Sequence, residues 1–167
     1  MGQRLLPQNL IELYAHALAI ERDASKRFTE LERYMREVGY DYIADEFERI
    51  GREEQEQYEA LAIGTAERDL PPLAEWEYAW HYLGPQPLKV EAPKTAREAL
   101  TLALATERRA QNFYLDVAEH APDDAVCAFA AEMATDEQRH VQRLEELLAR
   151  EPLPAKTVED DAKLVRR

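Results

Sequence analysis

The sequence is poor in cysteine, glycine and positive charge, and each deficit removes a class of protein. The single cysteine, Cys127, allows no intrachain disulfide and fits a reducing compartment. With 5 glycines and 9 prolines in 167 residues, collagen-like and low-complexity chains are excluded. Only 21 Lys and Arg stand against 34 Asp and Glu, which gives a formal net charge of −13. Such a surface repels phosphates and anionic lipid headgroups, so neither nucleic acid nor a membrane is expected as a partner.

Long uninterrupted apolar runs are missing as well. The apolar stretch in residues 1–24 is broken by Glu12, His16 and Glu21, so it reads neither as a secretory core nor as a membrane span. We expect a soluble, cytoplasmic protein. Hydrophobic residues make up 46% of the chain, which is enough for the core of one domain of ordinary size.

Four long segments carry apolar residues at helical spacing, and none shows the alternation typical of strands. They cover residues 7–38, 41–63, 95–121 and a last segment from 122 or 123 to 150. The sequence therefore predicts an all-α fold.

Several residues mark where these helices should begin and end. Pro7 fits an early helical position, and Gly39 fits a left-handed residue just past the first helix. Gly64 closes the second segment. Thr95 and Glu98 form a capping-box pattern at the start of the third.

The connections predict how the helices are arranged. The first and third are tight turns, so two antiparallel helical hairpins are expected. The middle connection, residues 65–94, is long enough to cross the height of a bundle, and we expect a short aromatic helix at 73–83 within it. We therefore predict a four-helix bundle over residues 1–150, followed by a tail at 151–167.

The two hairpins repeat each other. Their helices carry matching motifs, ALAIERDA (17–24) and REEQEQYEAL (52–61) in the first hairpin and ALATERRA (103–110) and TDEQRHVQRL (135–144) in the second. The match aligns Glu21 with Glu107 and Glu54 with Glu137. Each of these glutamates lies 15 to 18 residues from the turn of its hairpin. At about 1.5 Å per residue, all four fall at one level, roughly 22–27 Å from the turns.

These four glutamates lie on the apolar stripes of their helices. Buried carboxylates without counter-charge cost several kcal/mol, and we find no Lys or Arg on those stripes. A pair of metal ions is the natural compensation. Glu137 and His140, spaced i and i+3, direct a carboxylate and an imidazole to the same side of the fourth helix. Bundles that hold two iron or manganese ions use such pairs on two helices, but here Gln57 stands where the second histidine belongs.

On these motifs, residues 8–150 resemble the ferritin-like superfamily, and most closely the rubrerythrin di-iron domain. The resemblance implies that Glu54 and Glu137 bridge two metal ions, that Glu21 and Glu107 are terminal ligands, and that His140 binds the second ion. Rubrerythrins use such sites to reduce peroxide or to react with dioxygen.

Three departures from the rubrerythrin pattern bear on function. Gln57 offers a neutral amide oxygen, or a water, in place of a histidine, so the first metal site should bind more weakly. Ala110 stands where rubrerythrins commonly have a further carboxylate. Cys127 alone cannot form the four-cysteine iron site of a rubredoxin domain, so an electron donor must be another protein.

Three hypotheses about function remain open at this stage. We favour a di-iron oxidoreductase acting on peroxide or dioxygen with an external redox protein. The second is a protein that binds or buffers iron, zinc or manganese without turnover, with one strong and one weak site. The third is a metal-free bundle that acts as a dimerising scaffold. Carboxylate and imidazole ligands suit several divalent ions, of which we expect iron, and a homodimer is expected by resemblance.

Overall fold

A computed structural model describes residues 6–73 and 92–153 of the chain. In these two ranges the chain forms four α-helices and no strand, namely α1 (Leu10–Glu37), α2 (Asp41–Gly64), α3 (Ala96–His120) and α4 (Asp124–Arg150). α1 packs along α2 and α3 along α4, and α1 contacts both helices of the second hairpin. This confirms the predicted all-α four-helix bundle. The helix predicted at 73–83 and most of the tail lie outside the described residues, and none of the described helices is long and apolar enough to span a membrane.

The ends of α1 show why one sequence signal was right and another wrong. The helix begins at Leu10 and not at Pro7, because the side chain of Asn9 accepts the Glu12 N–H at 3.0 Å and caps the helix there. Pro7 lies before this cap. Gly39 has a φ of 88°, which confirms the left-handed residue predicted after the helix.

The other helix ends lie within two residues of the sequence signals. Gly64 is the last residue of α2 and not the residue that follows it. The hydroxyl of Thr95 accepts the Glu98 N–H at 3.1 Å, which confirms the predicted cap of α3. Asp123 caps α4 by accepting two backbone N–H groups, so this helix begins at Asp124, one or two residues after the predicted 122 or 123.

The apolar core is divided into two clusters along the length of the bundle. One lies toward the turn between α1 and α2 and includes Phe28, Phe47 and Leu144. The other lies toward the turn between α3 and α4 and includes Leu13 and Tyr114. Both are built from residues less than a tenth exposed, so the region between them is cut off from solvent at either end of the bundle.

Gly51 allows the close approach of α2 to α1. A Cβ atom built on this glycine would lie 3.1 Å from the Cβ of Phe28, whereas one built on Gly64 would meet nothing within 4 Å. Because the Phe28 Cβ is fixed to the backbone of α1, it can yield only if the two helices move apart.

We therefore predict that Gly51→Ala destabilises the protein. Overpacking costs about 1–3 kcal/mol, which outweighs the gain of roughly 1 kcal/mol in helix propensity. Gly64→Ala is the matched control and should leave the free energy of unfolding unchanged or slightly higher. Urea unfolding of both variants measures the difference, and equal stabilisation of both would contradict the close contact.

Candidate metal centre

The four aligned glutamates all lie inside the bundle. Glu21, Glu54, Glu107 and Glu137 come one from each helix, and each is at most 1% exposed. They occupy the region between the two apolar clusters, at the middle of their helices. The helical repeat explains this, since apolar residues one turn to either side hold each stripe against the core.

His140 joins three of these carboxylates into a compact group. One ligand atom each from Glu54, Glu107, Glu137 and His140 lies within 4.8 Å of the other three. The Nδ1 atom of His140 is 2.6 Å from Oε1 of Glu54 and 3.2 Å from Oε2 of Glu107. These oxygen and nitrogen donors are the kind that bind divalent transition metals.

Glu21 belongs to the same buried region but is held from another side. Its Oε1 accepts a hydrogen bond from the hydroxyl of Tyr114 at 3.0 Å, which leaves Oε2 toward the cluster without a protein donor. Tyr114 is fully buried and packs against Phe113, so it fixes one oxygen of Glu21 rigidly.

The carboxylates have too few hydrogen-bond donors around them. Four of their buried oxygens have neither a hydrogen-bond partner nor an ion-pair contact: Glu21 Oε2, Glu54 Oε2, Glu107 Oε1 and Glu137 Oε2. Each such group costs about 1–3 kcal/mol when it is left unpaired. Divalent cations would satisfy these oxygens and neutralise their charge, so the residues present fit a metal centre.

The pKa shifts of the buried carboxyl groups also favour a metal centre. Burial, and next the charge of Glu107, raise the pKa of Glu54 to about 8. Burial also raises the pKa of Glu21 and of Glu137 well above the usual range, with the charge of Glu54 as the next cause in both. Without metal, the cluster therefore holds protons that exposed carboxyl groups would have lost near neutral pH.

Gln57 lies at the edge of the centre, one helical turn beyond Glu54. Its Nε2 donates a hydrogen bond to Oδ2 of Asp136 at 3.2 Å, and its Oε1 is buried without a partner. The amide oxygen is the atom that Gln57 could offer to a metal ion. Ala110, where a further carboxylate would lie in rubrerythrins, is buried and adds no ligand.

Two residues next to the centre were missed in the sequence. The acidic run that contains Glu53 indicates a solvated side chain, but its Oε2 lies 3.0 Å from Nε2 of His140. Arg143 was not recognised as a counter-charge, but its guanidinium donates to both oxygens of Glu53. Their positions held a signal, since Arg143 follows His140 by three residues and so shares its side of α4.

These contacts shift two pKa values. Burial would raise the pKa of Glu53, but hydrogen bonds from Arg143 and His140 outweigh it and the pKa is lowered. Burial would lower the pKa of His140, but the hydrogen bonds and charges of Glu107 and Glu53 outweigh it and the pKa is raised.

A pocket of about 320 Å³ lies beside the centre. Gln57 and Asp136 line it on the side of the carboxylates, and Leu61 and Met133 are among its apolar wall residues. Because Gln57 follows Glu54 by one turn and Asp136 precedes Glu137, a small molecule in this pocket would be close to the cluster.

The remaining histidines and the cysteine in the described part of the chain lie elsewhere. His16 is buried and packs against the ring of Phe113, as a packing residue would. His120 is on the surface beside Asp116. Cys127 is partly buried and contacts the carbonyl oxygen of Ala121.

The fold and the buried cluster define a ferritin-like four-helix bundle with a candidate carboxylate metal centre. The family model for rubrerythrin matches residues 12–148 and 98–165, and the chain belongs to that family. The family and the cluster together indicate binding of divalent metal ions.

Two solved structures are similar to this chain. An uncharacterised conserved protein from Magnetospirillum magnetotacticum is 28% identical, with a TM-score of 0.78 over 89% of this chain and 99% of its own. The bacterioferritin-related protein from Bacteroides fragilis, a dodecameric thioferritin, is 21% identical, with a TM-score of 0.63 over 93% and 88%. The second likeness shows the ferritin-like fold alone. No curated protein matches the chain.

Proposed function

We propose that this protein is a non-haem di-iron oxidoreductase that reacts with peroxide or dioxygen. The observation that carries the proposal is the set of four unpaired carboxylate oxygens beside one imidazole between two apolar clusters. Glu54 and Glu137 would bridge the two ions, Glu21 and Glu107 would be terminal ligands, and His140 and Gln57 would complete the two sites. A ferrous pair held there supplies the two electrons that reduce an O–O bond.

The residues of the chain itself would support this chemistry in three ways. Tyr114 donates to one oxygen of Glu21 and so directs the other toward the ions. The apolar clusters keep bulk water away, which strengthens electrostatic interactions within the site. The pocket lined by Gln57 and Asp136 gives a small oxidant a route to the centre.

Electrons for repeated turnover would come from another protein. The sequence has one cysteine, so it cannot supply a four-cysteine iron site of its own. We propose an external redox protein as the partner. A cytoplasmic location and a homodimeric state stay predictions.

The test is the reaction of the ferrous protein with hydrogen peroxide. Protein loaded anaerobically with two ferrous ions per chain should lose its ferrous iron within seconds of mixing, faster than free ferrous iron, and should gain visible absorption. Zinc-loaded protein is the control and should consume no peroxide. Bound ferrous iron that stays reduced would exclude an oxidoreductase.

Iron or zinc buffering is the second candidate function. It is favoured by Gln57, whose amide nitrogen is already bonded to Asp136 and whose oxygen is a neutral ligand. A metal titration with one tight site, one weak site and no oxidant consumption would select this function over the first.

Gln57→His should strengthen the weaker site. An imidazole nitrogen is a better donor to transition metals than an amide oxygen, so we expect affinity for the second ion to rise by roughly 10-fold or more. Gln55→His, two residues away on the exposed face of α2, is the matched control and should change nothing. Isothermal titration with zinc measures both. An unchanged second affinity in Gln57→His would show that position 57 does not face a metal ion.

A further inference from the structure

The imidazole of His140 is held from both sides. Its Nδ1 faces Glu54 and Glu107 in the cluster, at 2.6 Å and 3.2 Å. Its Nε2 faces away from the cluster, toward Oε2 of Glu53 at 3.0 Å. The His140 side chain is 4% exposed, so water has little access to either ring nitrogen. Neighbouring protein groups are therefore the main hydrogen-bond partners of both nitrogens.

A neutral imidazole carries one N–H and one lone pair, and only the lone pair can bind a metal. The carboxylate of Glu53 can only accept, so it favours the form with the proton on Nε2. That form leaves the Nδ1 lone pair on the side of Glu54 and Glu107, whose carboxylates favour the opposite tautomer when no metal is bound. Glu53 therefore favours the one tautomer of His140 that can bind a metal in the cluster.

Arg143 keeps Glu53 in this position. Its Nη1 donates to Glu53 Oε1 at 3.0 Å and its Nη2 to Oε2 at 3.2 Å, which is the two-point geometry of a guanidinium on a carboxylate. Its Nε lies 3.1 Å from Oε1 of Glu46. Glu46 and Glu53 are seven residues apart on α2, so both contact Arg143 from the same face of that helix.

We propose that Glu53, held by Arg143, is a positioning residue that sets the tautomer and orientation of His140 for metal binding. The inference rests on the metal-binding function proposed above. Glu53 is outside the Glu-x-x-His pattern, and the acidic residues around it make it look like part of a solvated surface in the sequence.

Glu53 is less suited to be a metal ligand itself. Arg143 engages both of its oxygens, and His140 Nε2 shares one of them. The side chain is also 39% exposed, unlike the four glutamates of the cluster. Moving it to a metal ion would break all three contacts.

The test compares Glu53→Ala, Glu53→Gln and the control Glu56→Ala in the full-length protein. Glu56 lies on the same helix and is exposed. In Glu53→Ala we expect zinc affinity to fall by roughly 10–100-fold with the number of bound ions unchanged. Glu53→Gln should lose much less, because its amide oxygen still accepts from Nε2. Glu56→Ala should match the wild type.

The second readout does not depend on metal. In the metal-free protein, ¹⁵N NMR of the His140 ring should show Nε2 protonated in the wild type and a shift of the proton toward Nδ1, where Glu54 and Glu107 accept, in Glu53→Ala. Thermal unfolding should change little, since the pair of Glu53 and Arg143 is partly exposed and such pairs add little to stability.

Two results would overturn the inference. Equal zinc affinity and equal His140 tautomers in Glu53→Ala and Glu56→Ala would show that Glu53 positions nothing. Loss of one bound ion in Glu53→Ala, with the tautomer unchanged, would make Glu53 a ligand. A wild-type protein that binds no zinc or iron would instead reject the proposed metal function, and the NMR comparison would still decide what Glu53 does to His140.

Discussion

Replacing Glu137 by glutamine should make the metal-free protein more stable at pH 8 while removing most of its metal affinity. Glu137 is 1% exposed, its Oε2 has no hydrogen-bond partner, and burial together with the charge of Glu54 raises its pKa. A neutral amide of the same shape removes a buried charge from a group of like charges. We expect a gain of about 1–3 kcal/mol in the free energy of unfolding. The loss of a bridging ligand should weaken metal binding on the order of 100-fold or more, beyond the effect of losing a supporting contact.

Glu132→Gln is the matched control for this variant. Glu132 lies on the same helix but is exposed, and the same substitution there should change neither stability nor metal affinity. Urea unfolding in the presence of a chelator measures the first quantity, and zinc titration measures the second. A Glu137→Gln variant that is less stable without metal, or that binds two zinc ions as tightly as the wild type, would contradict the proposed centre.

Glu137→Gln is expected to raise the stability of the metal-free protein and to lower its metal affinity. Opposite effects of this kind indicate that the buried carboxylates serve metal binding and not folding. A bundle without metal gains nothing from four buried carboxylates, since apolar residues of similar size would pack more favourably. A dimerising scaffold, the third hypothesis from the sequence, would have no need of them. If Glu137→Gln were harmless to metal content and neutral in stability, that scaffold would become the better account.

The positions of the four glutamates could be predicted because they depend on helical geometry alone. Apolar spacing showed which side of each helix is buried, and the distance from the turns of the hairpins put Glu21, Glu54, Glu107 and Glu137 at one level. Both quantities are properties of single helices and short connections. The fold followed from the same reasoning.

The contacts around His140 could not be predicted in this way. Glu53 lies beside an inward glutamate in a run of acidic residues, and spacing alone gives it to the solvent. Arg143, on another helix, holds the Glu53 side chain inward. How far one helix is rotated about its axis relative to its neighbour cannot be inferred from the spacing within either helix. The start of α1 was misplaced for a local reason, because the hydrogen bond that the Asn9 side chain accepts from the Glu12 N–H competes with the preference of Pro7 for a first turn.

The stability of the metal-free protein should fall as the pH rises from 5 to 8. The pKa of Glu54 is about 8 in the folded chain against 4.5 in the unfolded chain, so the folded state binds more protons throughout this window. Stability gained in this way is complete below pH 4.5 and is lost as the pH rises through the folded pKa. The loss is on the order of 3 kcal/mol for Glu54 alone. Glu21, Glu137 and His140 have raised pKa values and act in the same direction.

Metal should reverse the sign of this dependence. Zinc or iron binds the deprotonated carboxylates and competes with their protons, so the stability of the loaded protein should rise over the same pH range. Urea unfolding from pH 5 to 8, with a chelator or with excess zinc, gives the two curves. In Glu137→Gln the metal-free curve should be flatter, because one of the coupled carboxyl groups no longer titrates. A metal-free wild type whose stability is constant or rises toward pH 8 would mean that the carboxyl groups are not confined together, and the metal centre would lose its electrostatic basis.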